Sequence, residues 1–555
     1  MQVTIVVGYP PIESKKGVAL LSQNRQFQYF NAPTYIYPMV PAYAASNLQK
    51  NGYKVFWMDG ISEKKTYDQW VKDLKKSRAQ YLMVETKSPI AKTHWKQIND
   101  LKKKLPKLKL IWVGDHISYL PLEIFEHSRV NYAITGGDYD FVVVNLLNHI
   151  YKGEQLEGGV YWRKGDKNIK AKPLRENKLS NDKIIYNSGV ASLKHKLDDL
   201  PFVDRDLTKW KLYAYENGNY KYTPATYMYS GRDCWWNRCT FCVWDHTINP
   251  IGSYRSFTPE RLFAEVKHVV DTYDVKEIFD DAGTLFAGAK LQKFCELLIE
   301  SGYNKKVKYG CNMRFNAIRT QELYNLMGKA GFRFILYGME SANQKTLDRL
   351  DKGTKEEDAI IGPMMAKKAG LDPHVTIMLG YPWESYEDAR RTIEVAKYAF
   401  KKGYYETMQA TIVIPYPGTP LYRECKENGW LLTDDYSRFD MREPVMKTPI
   451  PKEKILELEQ DLYSSFMTPQ YITRKILGIR SFHDFKYLFY MAWKLLGHLL
   501  DFDPKQTKTS FLSLSFWKNA ISKLGTHFFT SKTSVDAEKD AIRFVNTTLQ
   551  PLTKN

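Results

Sequence analysis

Short strand-like runs ending in turn residues alternate with amphipathic helical segments, twice over, and this alternation limits the chain to few folds. In the first series the runs are 3–7, 54–58, 80–84, 109–113 and 132–134, separated by helical patterns at 42–51, 67–76 and 91–104. Strand, helix, strand at this spacing predicts a parallel, doubly wound sheet. Such sheets take ligands at the carboxyl ends of their strands, and Gly8, Gly60, Thr86, Gly114 and Gly136 all fall at that edge. A second series follows at 226–229, 277–279, 306–309, 332–337, 374–378 and 407–414. Six strands with helical crossovers predict a partial (β/α)6 barrel, so the expected fold class is α/β.

A chain of 555 residues is too long for one ordinary core. We divide it into a doubly wound domain at 1–155, a linker at 156–222 containing a hairpin at 159–172, a barrel at 223–445 and a helical region at 446–555. The residues after 549 are expected to fray. No run of 18 uncharged apolar residues occurs, so no transmembrane helix is expected. The amino-terminal MQVTIVVGYPP has no signal-peptide features, and a cytoplasmic location is expected. Lys and Arg number 81 against 62 Asp and Glu, a net charge of +19. A solvated basic surface is the simplest reading. An anionic substrate, nucleic acid or an acidic membrane are the alternatives, and no motif points to nucleic acid.

Cysteine is concentrated. The six are Cys234, Cys239, Cys242, Cys295, Cys311 and Cys425, with none before 234 and three inside nine residues. A disulfide framework would spread its cysteines through a small secreted chain, whereas a tight odd-numbered cluster points to metal. The loop reads Gly231-Arg-Asp-Cys234-Trp-Trp-Asn-Arg-Cys239-Thr-Phe241-Cys242. Three thiolates can hold three irons of a [4Fe–4S] cluster and leave the fourth open to a ligand. A zinc ion with His246 as fourth ligand is the alternative. Cys295, Cys311 and Cys425 read as buried structural thiols.

The loop resembles that of the radical S-adenosylmethionine (SAM) superfamily, in which an aromatic residue, here Phe241, precedes the last of three cysteines. Its first spacing is four residues where the family usually has three. The resemblance extends to Phe279-Asp280-Asp281-Ala282-Gly283-Thr284, Asn312-Met313-Arg314, Gly338-Met339-Glu340-Ser341, Gly380-Tyr381-Pro382-Trp383-Glu384-Ser385 and Pro415-Tyr416-Pro417-Gly418-Thr419-Pro420-Leu421. It implies a [4Fe–4S] cluster on Cys234, Cys239 and Cys242. It also implies SAM held by Phe241, Asp280, Asp281, Gly283, Arg314, Glu340, Ser341, Pro417 and Gly418. The implied chemistry is one-electron cleavage of SAM and removal of hydrogen from an unreactive C–H bond, under anaerobic conditions. An external reductant of flavodoxin or ferredoxin type is implied as partner.

Cysteine counting excludes the subfamilies with a second cluster, since 1–233 hold no cysteine and only Cys425 follows Cys311. Pro10-Pro11, Val113-Gly114-Asp115-His116 and Thr135-Gly136-Gly137-Asp138 resemble the cobalamin-binding domain of cobalamin-dependent radical SAM proteins. That resemblance implies a corrin over the strand ends, near Pro10, Thr86, Ser88, Gly114, Asp115, His116, Gly136 and Gly137. No Asp-x-His-x-x-Gly occurs, so cobalt is expected to lack a protein imidazole.

Residues 467–480 and 482–502 resemble the helical tail of many such proteins. Arg474, Lys475, Arg480 and Lys486 interleave with Ile472, Ile476 and Leu477, a pattern suited to capping the barrel or to peripheral contact with a membrane. The whole reads as a cobalamin-dependent radical SAM enzyme that methylates an unactivated carbon or phosphorus centre of a small molecule or peptide. A cyclase or ring-rearranging enzyme without methyl transfer is the alternative, and a non-catalytic corrinoid or iron–sulfur binding protein is a second.

Overall fold

Apolar runs bounded by turn residues become strands because burying both faces of a parallel sheet offsets the cost of ordering them. A computed structural model describes residues 2–20, 27–501 and 535–549. Its first strands are β1 (Thr4–Tyr9), β2 (Val18–Leu20), β3 (Gln28–Phe30), β4 (Lys54–Asp59), β5 (Tyr81–Glu85), β6 (Lys109–Val113) and β7 (Tyr132–Ile134). Next come β8 (Val160–Arg163), β9 (Arg175–Lys178) and β10 (Ile184–Asn187). They form an eight-stranded sheet in the order β4-β1-β5-β6-β7-β8-β10-β9, with β2 and β3 paired separately as a hairpin. The pairings from β4 to β7 are parallel. The last three strands add on antiparallel. Tyr43 and Val143, from helices Met39–Lys50 and Tyr139–Lys152, join the core on one face of this sheet. Trp70 and Ile98, from helices Tyr67–Ser77 and Ala91–Lys104, pack on the other. The doubly wound reading therefore describes the sheet. Residues 156–222, expected as a linker, differ: 160–187 continue the sheet by three strands.

The second sheet opens with β11 (Ala225–Met228), beside which the short strands β12 (Gly231–Arg232) and β13 (Arg255–Ser256) pair antiparallel. It continues with β14 (Glu277–Asp280), β15 (Lys308–Met313), β16 (Phe332–Glu340), β17 (Asp372–Leu379) and β18 (Thr407–Ile412). The order is β11-β14-β15-β16-β17-β18, with every neighbour parallel, as the six runs predicted. Helices Lys452–Ser464, Pro469–Leu477, Phe482–Asp501 and Val535–Leu549 follow. The rest of the expected helical region, 502–534 and 550–555, lies outside the described residues, as do the terminal residues expected to fray. Tyr463 donates to the Ala410 carbonyl in β18 at 3.3 Å. Lys494 donates to the Ala32 carbonyl, just after β3, at 3.1 Å. The carboxy-terminal helices thus reach both the barrel edge and the β2–β3 hairpin. Among the described residues, no helix is long and apolar enough to cross a membrane.

Candidate functional site

A cavity of about 1140 Å³ runs along the inside of the second sheet. At one end its wall carries Cys234, Cys239, Phe241 and Cys242, from the loop that leaves β11. Hydrogen bonds fix that loop. The Tyr229 hydroxyl donates to Asp233 at 2.9 Å, the Ser230 amide to Asp280 at 3.0 Å, and the Gly283 amide to Asp233 at 2.5 Å. Trp235 and Trp236 donate their indole N–H groups to the carbonyls of Leu285 (3.3 Å) and Asp351 (2.6 Å). Asn237 takes a left-handed φ of 55° inside the cysteine spacing, and its side chain donates to Asn249 O at 2.8 Å. Burial pushes the Cys234 thiol up to about 12 and raises that of Cys239, against the pull of Lys352 and Arg314. Such thiols ionise when a metal takes the proton's place.

Among the described residues, no three His, Cys, Asp or Glu side chains converge as the ligands of one ion. Zinc needs four donors at about 2.0–2.3 Å from one point. His246 is instead turned onto the Cys239 carbonyl, with Nε2 3.1 Å away. In a [4Fe–4S] cluster each cysteine meets a different iron, so the thiols stand apart around a shared volume. Three thiols on one cavity wall match that donor set.

Beside the cysteines the cavity carries Asp281, Gly283, Asn312, Arg314, Gly338, Glu340 and Lys352. Arg314 lies over the rings of Trp236 and Trp235, 4.5 and 5.5 Å from their centroids, and donates to the Lys352 carbonyl. Its buried Nε has no hydrogen-bond partner. Lys352 Nζ donates to Glu340 Oε1 at 2.7 Å. Asn312 donates to Asp281 at 2.9 Å. Two cations and two carboxylates on one cavity wall are a counterpart for a zwitterion carrying an ammonium and a carboxylate.

Of the residues expected to hold SAM, the cavity wall therefore brings together Phe241, Asp281, Gly283, Arg314 and Glu340. It does not include Asp280, Ser341, Pro417 or Gly418. Asp280 is turned into the protein, accepting from the amides of Ser230 and Ala282 and from the Tyr309 hydroxyl at 2.9–3.1 Å. Ser341 donates to buried Glu384 at 2.7 Å. A Cβ on Gly418 would stand 2.4 Å from Thr247 Cγ2 and 3.0 Å from Tyr119 Cγ, so this turn, of which Pro417 is part, packs on the chain itself. Lys352 escaped the sequence reading, and Gly338 was quoted in its motif without a role of its own. A Cβ on Gly338 would fall 2.2 Å from Glu340 Oε1.

The residues expected around a corrin lie at the carboxyl edge of the first sheet. Thr86 Oγ1 is 2.7 Å from His94 Nδ1, and Ser88 Oγ is 3.0 Å from His116 Nδ1. His116 Nε2 stands 3.0 Å from Glu123 Oε2, though not aligned for a hydrogen bond. Asp115 and Pro10 are buried. A Cβ on Gly114 would meet the Thr86 carbonyl at 2.3 Å, one on Gly136 would meet Ala191 Cβ at 2.7 Å, and one on Gly137 would meet Asn249 Oδ1 at 2.5 Å. The hairpin seats Ala19, Phe27 and Tyr29 against Tyr9 and Ile90, over the ends of β1 and β5. The Phe27 amide donates to the Tyr416 hydroxyl at 3.1 Å. At Gly114, Gly136 and Gly137 the chain's own atoms therefore stand where a Cβ would point.

The two sheets meet through buried charge. Arg232, two residues before Cys234, donates to the Gly137 carbonyl at 2.8 Å and pairs with Asp140 at 2.7 Å. Arg255 pairs with Asp138 at 2.6 Å, and His195 lies between Asp138 (2.8 Å) and Glu157 (3.0 Å).

Residues 228–396 match the radical SAM superfamily. Over 445 residues the chain is 24% identical to an uncharacterised methyltransferase, PH0819, of Pyrococcus horikoshii, covering 79% of this chain and 89% of that protein. It is 22% identical over 416 residues to the anaerobic magnesium-protoporphyrin IX monomethyl ester cyclase of Cereibacter sphaeroides, covering 74% of this chain and 63% of that one. In fold it resembles the cobalamin-dependent SAM radical enzyme OxsB, solved with aqua-cobalamin and SAM bound (TM-score 0.63, 16% identity, 100% of this chain and 79% of that). It also resembles the radical SAM methyltransferase TsrM of Kitasatospora setae, solved with cobalamin and a [4Fe–4S] cluster (TM-score 0.59, 12% identity, 99% of each).

Proposed function

We propose that this chain, which carries a radical SAM domain, is an enzyme that cleaves SAM reductively at a [4Fe–4S] cluster on Cys234, Cys239 and Cys242 and methylates an unactivated carbon or phosphorus centre. The observation that carries the reading is the shared wall: three thiols stand in one cavity with Arg314, whose Nε is unpartnered, and with the Glu340–Lys352 pair. When bound, the cluster and SAM together supply a one-electron route to an unreactive C–H bond. The chain's part is to bind, orient and exclude water. Arg314 and Lys352 offer cations to the carboxylate of the methionine end of SAM, and Asp281 and Glu340 offer anions to its ammonium. The tryptophans under Arg314 fix its guanidinium. The basic surface suits an acidic flavodoxin or ferredoxin as electron donor.

Cobalamin belongs to this reading through the fold shared with two cobalamin-bound proteins, and it would act as methyl carrier. Its seat would be the edge of β1, β5, β6 and β7, beside the β2–β3 hairpin that packs on Tyr9 and Ile90, and no side-chain role is drawn from it. The likeness to the cyclase favours a second reading, ring formation without methyl transfer. Anaerobic incubation of reconstituted, reduced protein with SAM tests the proposal: 5′-deoxyadenosine is the expected product. Added S-adenosylhomocysteine marks methyl transfer, and its absence with turnover marks the cyclase reading. Absence of 5′-deoxyadenosine overturns the enzyme assignment.

A further inference from the structure

The apolar side chains of the two helices after residue 468 break the usual rule of burial. Ile472 and Ile476 are one helical turn apart and 42% and 56% exposed, and Leu477 beside them is 76% exposed. Phe482, Phe485 and Phe489 recur at helical spacing and are 81%, 54% and 71% exposed. Six large apolar side chains exposed on two consecutive helices are more than the single scattered groups an ordinary surface carries, and point to an interaction surface.

The charge around the patch has one sign. Of the five cations between 468 and 494, Lys475 is paired with Glu406 and Lys494 is buried on the Ala32 carbonyl, which leaves Arg474, Arg480 and Lys486 at the surface against Asp484 alone. Asp484 is already paired with Lys221 at 2.9 Å. Arg474, Arg480 and Lys486 face solvent among the exposed apolar groups. Apolar residues inserted between exposed cations complement a surface that is anionic outside and apolar beneath.

The same segment borders the cavity. Ile472, Arg474, Ile476 and Ile479 line it, while Ile472 and Ile476 are also among the exposed residues. A side chain that faces both solvent and cavity marks a mouth. Inward from it the wall is largely apolar, with Leu488, Met491, Phe334 and Met378 on the way to the cysteine loop. One cavity of about 1140 Å³ thus runs from this mouth to the cysteines.

We propose that helices Pro469–Leu477 and Phe482–Asp501 dock the protein on an anionic lipid bilayer, and that an apolar, membrane-resident substrate enters the cavity between Ile472 and Ile476. The substrate half rests on the proposed radical SAM function; the docking half does not.

Sedimentation of the full chain with vesicles tests the docking. Binding is expected to vesicles of phosphatidylcholine mixed with phosphatidylglycerol, to weaken as salt rises, and to be much weaker on phosphatidylcholine alone. The variant F482S/F485S/F489S, changed only at exposed positions, should lose binding at least about tenfold with its melting temperature kept. Arg480→Gln with Lys486→Gln should remove the salt-sensitive part. Binding unchanged in the triple variant overturns the assignment, as does failure of the folded wild type to bind either vesicle. Concentration-dependent self-association that the triple variant abolishes, without vesicle binding, makes the patch a protein interface and also overturns it. For the entry route, pyrene-labelled palmitate should quench tryptophan fluorescence in wild type and do so about tenfold more weakly in I472E/I476E; equal quenching overturns the mouth. Formation of 5′-deoxyadenosine without vesicles reads the radical SAM function separately. Its failure alongside intact vesicle binding removes the substrate half and leaves the docking.

Discussion

Lys352 Nζ lies 2.7 Å from Glu340 Oε1, and each residue is only 7% exposed. Burial alone would weaken the ammonium, but the attraction of Glu340, with a smaller one from Cys239, outweighs it and raises the Lys352 pKa. The pair joins the end of β16 to the loop after helix Gln344–Arg349, beside the cysteines. Lys352→Met leaves Glu340 buried without its cation, a loss of about 3–5 kcal/mol. The expected result is a lower melting temperature together with SAM affinity reduced at least about tenfold, at unchanged iron content. Unchanged SAM affinity in calorimetry with only the melting temperature lowered would make the pair structural.

Replacing Cys234, Cys239 and Cys242 together by Ala should reduce iron and sulfide from about four each per chain to near none. The visible absorption of the reconstituted protein should vanish with them. Stoichiometric zinc without sulfide in the wild type contradicts the cluster assignment.

Arg232 neutralises Asp140 where neither reaches solvent. Arg232→Gln therefore leaves a buried carboxylate unpaired, and unfolding in denaturant should show a loss of about 3–5 kcal/mol. Arg232→Met with Asp140→Leu should recover much of it, because no charge is then stranded. A double variant no more stable than R232Q would mean that the pair contributes more than mutual neutralisation.

His195 supplies a pH dependence. Burial lowers its pKa, but hydrogen bonds to Asp138 and Glu157 outweigh this and lift it to about 9. Its unfolded value is about 6.5. A pKa raised by folding gives stability that is complete below about pH 6.5 and is lost as pH rises through about 9. Denaturation midpoints should fall across that interval in the wild type. His195→Gln should flatten the fall, and an equal slope in both proteins would rule out this histidine as its source.

Tyr416 holds the hairpin through the Phe27 amide. If a corrin takes the sheet edge that this hairpin covers, Tyr416→Phe should speed hydroxocobalamin uptake, followed by absorbance after mixing. A rate identical to the wild type would place the corrin or its entry elsewhere.

Strand positions were legible where β-branched and aromatic runs are buried on both faces, as in β5 and β6, where almost every residue is buried. β9 was not, because its Arg-Glu-Asn-Lys has no apolar alternation and it pairs only at the sheet's edge. The β2–β3 hairpin was missed because its strands are three residues each, too short for any period. In the site, Asp280 and Asp281 were both proposed. Side chains alternate along a strand, and only the partners show that Asp280 braces the loop while Asp281 lines the cavity. Lys352 reaches Glu340 from a loop twelve residues on, a juxtaposition that depends on how helix Gln344–Arg349 turns back. The glycines of the first sheet invited a ligand explanation; at Gly114 the φ of 115° and the Thr86 carbonyl, 2.3 Å from where a Cβ would stand, call for glycine as well.

The Arg232 bridge also bears on electron transfer. The guanidinium that holds Asp140 and the Gly137 carbonyl belongs to the segment that positions Cys234, so the thiol is mechanically referenced to helix Tyr139–Lys152. The field and hydrogen bonding around an iron–sulfur cluster set its reduction potential. A change in the amino-terminal sheet that shifts this helix would thus be felt in the backbone that carries Cys234.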